Sequence, residues 1–190
     1  MKIVLCGAQG TGKTTICYQL CGALKLRGYH VNKLPEFARH IPRGFKINEE
    51  TDGRTQVWLA CKQIGAEIEG KHSYDHLILD RSIVDILAYS HMAFKKGNLK
   101  EIEMGLILEM ARHWFETYDL IFWLRPDSSI SLKDGFRSES KEFQIIMDEE
   151  FRDIIKSIDD RNEDKIVMIN EPIHKRFEIV LEEILRRLDV

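Results

Sequence analysis

Residues 7–14 read Gly7-Ala8-Gln9-Gly10-Thr11-Gly12-Lys13-Thr14, GAQGTGKT, and fulfil the pattern G-x-x-x-x-G-K-[ST]. Upstream stand Ile3, Val4, Leu5 and Cys6, an apolar run of strand length; downstream a helix-compatible stretch begins near Lys13. A strand that feeds a glycine-rich turn opening a helix turns successive backbone N–H groups inward at the positive end of the helix dipole. Such a concavity suits phosphate. Lys13 is then expected to reach the β- and γ-phosphates, and the Thr14 hydroxyl to ligate Mg²⁺. A glycine-rich turn that only happens to spell the motif is the competing explanation, and the strand before and helix after weigh against it.

The chain has 190 residues, enough for one domain with a sizeable core, and a single domain over 1–190 is expected. Its 44% hydrophobic and 31% charged content is that of a globular protein, and no apolar run approaches membrane-span length, so no membrane partner is expected. The opening strand runs straight into the phosphate motif, which leaves no room for a secretory leader and predicts a cytoplasmic protein. Cys6, Cys17, Cys21 and Cys61 form no C-x-x-C pair and read as buried, reduced thiols. A formal net charge of −3 gives no global footprint for nucleic acid. The oligomeric state stays open, a homodimer included.

Apolar runs alternate with helical stretches: strand 2–6, helix 13–27, strand 29–34, helix 54–70, strand 76–80, helices within 83–116, strand 119–124, helix 141–157, strand 165–169 and helix 173–188. Five strands separated by helices predict an α/β fold with a parallel sheet flanked by helices, joined by right-handed crossovers. The ligand is then expected at the carboxyl ends of the strands. Asp80 follows Leu77, Ile78 and Leu79, the place for a carboxylate that holds Mg²⁺ or its water shell; an N-cap for the helix near Ser82 is the structural alternative. Arg81, a cation at a strand terminus, reads as a phosphate contact.

GAQGTGKT, PEFAR after the second strand, DRS after the third and DGFR in a late loop together resemble the small P-loop kinase group. That group includes nicotinamide riboside kinases, deoxynucleoside kinases and thymidylate kinases. The chain is also similar to phage enzymes that phosphorylate 5-hydroxymethyluracil in DNA. The resemblance spans nearly the whole chain and implies a five-stranded core with a mobile lid. It implies Glu36 as the carboxylate that activates the acceptor, Asp80 and Arg81 at the metal and phosphates, and Arg125 and Arg137 on the lid. ATP and Mg²⁺ are the implied cofactors. The donor site then comprises Gly7, Ala8, Gln9, Gly10, Thr11, Gly12, Lys13, Thr14 and Thr15 with Arg125, and adenine contacts are expected from backbone near Asn170 to Pro172.

Physical chemistry supports Glu36 independently, because a hydroxyl is a poor nucleophile and a carboxylate in hydrogen-bond reach accepts its proton as phosphoryl transfer proceeds. A phosphate acceptor would instead call for several arginines; Arg39 and Arg43 are at hand. A first-turn helix acid after Pro35 is the structural alternative for Glu36. The polar loop over 126–140 reads as the lid, with Arg137 inside it and Arg125 at its base, against the alternative of a solvated loop. Residues 36–72 read as the acceptor segment, with Arg39, Arg54, Trp58 and Asp85 as substrate candidates, although Trp58 also suits a core.

The expected activity is transfer of the γ-phosphate to a hydroxyl of a nucleoside-like acceptor. Three alternatives remain: a kinase acting on a modified base in DNA, a nucleoside monophosphate kinase, and a nucleotide-dependent switch module. A GTPase is disfavoured, since the only N-K fragment, Asn32-Lys33-Leu34-Pro35, has proline in the acid's place and lies early in the chain.

Overall fold

Lys2–Cys6 (β1, KIVLC) is buried at every position, as a central parallel strand covered on both faces must be. In the computed structural model, which describes residues 1–127, 138–159 and 164–188, β1 pairs in parallel with His76–Asp80 (β3) on one side and Leu120–Leu124 (β4) on the other. Val31–Leu34 (β2) lies outside β3, and Ile166–Ile169 (β5) lies outside β4. The order is β2-β3-β1-β4-β5, all parallel.

The helices are Lys13–Leu26 (α1), Gly53–Ser73 (α2), Ile83–Lys95 (α3), Glu101–Phe115 (α4), Lys141–Asp159 (α5) and Ile173–Leu188 (α6). Alternate strand residues face opposite layers. Ile3, Leu5, Ile78, Leu120 and Phe122 pack with Ile16 and Leu20 of α1 and with Val180 and Ile184 of α6. Val4, Cys6, Leu79, Ile121 and Trp123 pack against α2 to α5, including Leu87 of α3 and Met147 and Phe151 of α5. The β3-to-β4 connection crosses β1, so the carboxyl ends of these three adjacent strands converge where the glycine-rich turn leaves β1.

Boundaries differ from the sequence expectation where caps decide them. Strand β2 starts at Val31 and not at residue 29, because the Tyr29 N–H turns back to Leu24 O at 3.1 Å and closes α1. Helix α2 runs from Gly53 to Ser73, three residues past the expected end, with Asp52 Oδ1 accepting from Thr55 N at 2.9 Å at its start. The expected acceptor segment also contains two short 3₁₀ helices, Phe37–His40 and Asn48–Glu50. Cys6, Cys17 and Cys21 are buried as expected, but Cys61 is exposed, since it lies on the solvent side of α2. Residues 128–137 of the expected lid lie outside the described residues, and Arg137 with them. Among the described residues no helix is long and apolar enough to cross a membrane.

Candidate active site

The phosphate motif forms the turn between β1 and α1. Gly7 has φ 133° and an added Cβ there would collide with the Leu124 carbonyl; Gly12 has φ 87° and faces Ile173 of α6. Both positions demand glycine for backbone conformation and for space. Lys13 is 1% exposed, with Nζ donating to Gly7 O at 2.8 Å, Ala8 O at 2.6 Å and Thr11 Oγ1 at 3.1 Å. The ammonium is thus held over the loop itself. Ala8, Gln9 and Thr11 are buried, while Gly10 and Thr14 are half-buried and Thr15 is exposed on the first turn of α1. Two donors grip the loop from outside: Gln144 Nε2 reaches Gln9 O at 2.6 Å and Arg176 Nη1 reaches Thr11 O at 2.9 Å.

Asp80 stands at the end of β3, opposite Leu5 of β1, and is 1% exposed. It does not cap α3. Ser82 does, with Oγ accepting from Val84 N at 3.1 Å while the Asp85 carboxylate accepts from Ser82 N at 3.0 Å, a reciprocal capping box. Among the described residues Asp80 Oδ1 has no hydrogen-bond partner. A buried carboxylate oxygen without a partner is costly, and a cation satisfies it. The Thr14 hydroxyl and the Asp80 carboxylate are hard oxygen donors that fit magnesium, which takes one or two carboxylates and fills its other positions with water and phosphate oxygens. Among the described residues no group of three or more His, Cys, Asp or Glu forms a metal cluster of its own.

Arg81 follows in the left-handed region at φ 78°, a conformation that carries strain for a side chain of this size. Its N–H donates to Leu5 O at 3.1 Å, which ties the strained turn to β1. The guanidinium Nε lies 2.6 Å from Glu36 Oε1 and Nη1 lies 3.4 Å from Asp85 Oδ1. Arg39 Nε donates to the other oxygen of Glu36 at 2.9 Å. Glu36, 3% exposed, is therefore bracketed by two guanidinium groups. Glu36, Arg81 and Asp85 line a cleft together with Asn48, Thr51, Thr55, Gln56, Leu59 and Tyr89, and Arg39 meets it only through Glu36.

A family model described as AAA domain (AAA_28) matches residues 2–176. The chain belongs to that family. Among solved structures, deoxyadenosine kinase from M. mycoides with bound dCTP superposes with a TM-score of 0.71 at 16% identity, over 98% of this chain and 100% of that chain. The same kinase with the product dCMP and a flexible dCDP gives 0.69 at 15% identity, over 98% and 100%. The NadR protein in complex with NR gives 0.70 at 18% identity, over 95% of this chain and 50% of that chain, so this chain spans half of NadR. These likenesses establish the fold of this AAA domain as the five-stranded parallel P-loop kinase fold.

Within the AAA domain, charge and burial set the protonation behaviour of the cleft. Burial raises Asp85 to about 6, partly offset by Arg81, Lys13 and the N–H groups of Ser82 and Gly7. Burial also works against the Arg81 cation, yet Tyr89, Glu36, Asp85 and Asp80 outweigh it and hold the guanidinium well above its ordinary value. Tyr89 is raised by burial, with Arg81 opposing.

Other expected residues have partners outside the cleft. Arg54 donates to Gly44 O at 2.8 Å and stacks on Phe45, whose ring meets Trp58 edge-on at 5.8 Å; neither Arg54 nor Trp58 lines the cleft. The aromatic neighbours hold both outside it. Arg125 is engaged by Asp148, through Nε at 2.8 Å and Nη2 at 2.6 Å, and lies over Trp123. Sequence reasoning passed over Gln144 and Arg176, the two residues that grip the phosphate loop. Arg176 carried a signal: a cation in the first turn of a helix opposes the macrodipole and asks for another reason to be there.

Proposed function

We propose that the protein is an ATP-dependent phosphotransferase that moves the γ-phosphate to a hydroxyl of a nucleoside-like acceptor. The observation that carries it is the Glu36 carboxylate on the wall of the cleft, joined through Arg81 to the turn that bears Asp80. A base for the acceptor and a cation for the phosphoryl group are thereby held in one cluster beside the phosphate loop.

In this mechanism the loop N–H groups and Lys13 bind the donor phosphates, and Lys13 exchanges its loop carbonyl partners for phosphate oxygens. Thr14 and Asp80 would hold magnesium, which when bound neutralises charge on the phosphate oxygens. The acceptor enters the cleft with its hydroxyl at Glu36, whose carboxylate takes the proton as the oxygen attacks. Each carboxylate oxygen offers two acceptor positions, so the guanidinium contacts leave capacity for that hydroxyl. Arg81 supplies positive charge where the transferring group becomes a loose, metaphosphate-like species.

The pairing of Arg39 and Arg81 with Glu36 favours a hydroxyl over a phosphate acceptor, since both guanidinium groups already face a carboxylate. A second acceptor class, a modified base within DNA, is favoured by the exposed Arg43 and Lys46 near the cleft, in a stretch from Phe37 to Asn48 that contains no carboxylate. Incubation with labelled ATP and a panel of nucleosides, nucleotides, nicotinamide riboside and modified DNA tests the proposal. Label on a nucleoside-like acceptor supports it; ATP consumption indifferent to every acceptor points to a switch module.

A further inference from the structure

Gln144 and Arg176 come from different helices, α5 and α6, and each donates to a carbonyl of the glycine-rich loop: Gln144 Nε2 to Gln9 O at 2.6 Å and Arg176 Nη1 to Thr11 O at 2.9 Å. Both side chains are buried, Gln144 at 8% exposure and Arg176 at 0%. The two carbonyls belong to alternate peptide units, Gln9–Gly10 and Thr11–Gly12. In a planar trans peptide the C=O and the following N–H point in opposite directions, and among the described residues no peptide bond is cis. Fixing the Gln9 carbonyl against α5 therefore aims the Gly10 N–H away from α5, and fixing the Thr11 carbonyl against α6 aims the Gly12 N–H away from α6.

We propose that Gln144 and Arg176 are positioning residues that pre-set the phosphate-binding N–H groups of Gly10 and Gly12. This rests on the donor site described under the proposed function. Glycines grant the loop freedom to adopt this shape and equally freedom to leave it; an external grip on alternate carbonyls removes that freedom before the anion arrives. Preorganisation of this kind raises affinity by cutting the ordering cost of binding.

The surroundings of Arg176 match such a role. Its Nε donates to Glu171 O at 2.7 Å, so one guanidinium joins the phosphate loop to the turn between β5 and α6. Ile173, in the first turn of α6, packs against Gly12, and its N–H is capped by Asp127 Oδ2 at 2.9 Å. Among the described residues Arg176 Nη2 has no hydrogen-bond partner. A fully buried cation that opposes its own helix dipole and leaves one nitrogen unpartnered is a poor choice for stability alone.

The experiment measures binding of inorganic tripolyphosphate and of ATP to the full chain by calorimetry, with and without Mg²⁺, for the wild type and for Q144A, R176M and R176K. Thermal unfolding and acceptor KM are recorded alongside. Expected is a weakening of about tenfold for both ligands in Q144A and in R176M, the effect of losing one hydrogen bond that shapes the loop. R176K should recover part of the loss, because an ammonium still donates to the Thr11 carbonyl. Acceptor KM should stay unchanged. Wild-type affinity in Q144A and R176K, with or without a lowered Tm, overturns the proposal, and those two variants decide it if R176M does not fold. A wild type that binds neither ligand overturns the reading of the donor site itself, whereas wild-type binding with unaltered variants overturns only the positioning role.

Discussion

Arg81 places its Nε 2.6 Å from Glu36 Oε1 across 45 positions of chain, joining the turn that ends β3 to the segment that follows β2. Both side chains are largely withdrawn from water, with 13% and 2% of their surface exposed. In the proposed function this buried pair is the reference against which the acceptor is positioned. Replacing Glu36 with Gln keeps the shape and one acceptor oxygen but removes the base, and turnover should fall by roughly 10² to 10⁴ while acceptor binding is largely kept. Steady-state kinetics separate this from a phosphate acceptor, for which E36Q would matter little and Arg39→Ala would raise acceptor KM steeply.

Lys13→Met should reduce transfer by roughly 10² to 10³ or more, the effect of deleting one preorganised charge contact to the phosphates. The same change should lower Tm, because the ammonium now holds three loop atoms, Gly7 O, Ala8 O and Thr11 Oγ1. A mutant with near-normal turnover would remove Lys13 from the mechanism.

Asp80→Asn should raise the Mg²⁺ concentration needed for half-maximal activity, since an amide oxygen is a weaker ligand than a carboxylate. The helix start should be unaffected, because Ser82 and Asp85 cap α3. Titration of activity with Mg²⁺ checks this; an unchanged requirement would argue that Asp80 does not hold the ion.

Asp85 links stability to pH. Its carboxyl is raised from 3.8 to about 6 by burial, so between these values the folded protein retains a proton that the unfolded chain releases. Its contribution to stability is present in full below the unfolded value and is lost as pH rises through about 6. Asp85→Asn keeps an acceptor for the Ser82 N–H and should flatten the fall in stability over that interval. Chemical denaturation at a series of pH values, wild type against D85N, gives the comparison.

The five-stranded sheet and its helices were legible because β1, β3, β4 and β5 are short, mostly apolar runs and helical stretches separate them. Glu36 after β2 and Arg81 after β3 line the cleft, and Asp80 ends β3 with a buried, unpartnered oxygen among the described residues, so strand ends drew attention to all three. Side-chain pairing was not legible: Glu36 meets Arg81 only after α2 and β3 have folded, and Arg125 meets Asp148 across the β4-to-α5 connection. The same holds for Gln144 and Arg176, whose roles depend on two helices returning to a loop far earlier in the chain. Arg54 and Trp58 had the right chemistry for a base, yet Phe45 gathers them outside the cleft.

The central claim is that the acceptor atom is a hydroxyl oxygen activated by Glu36. The most direct measurement is ³¹P NMR of the product formed from ATP by the wild type and by E36Q. The account predicts a phosphomonoester signal on a nucleoside-like acceptor, formed by the wild type and nearly lost in E36Q. A phosphoanhydride product, or inorganic phosphate alone formed equally by both proteins, would contradict it.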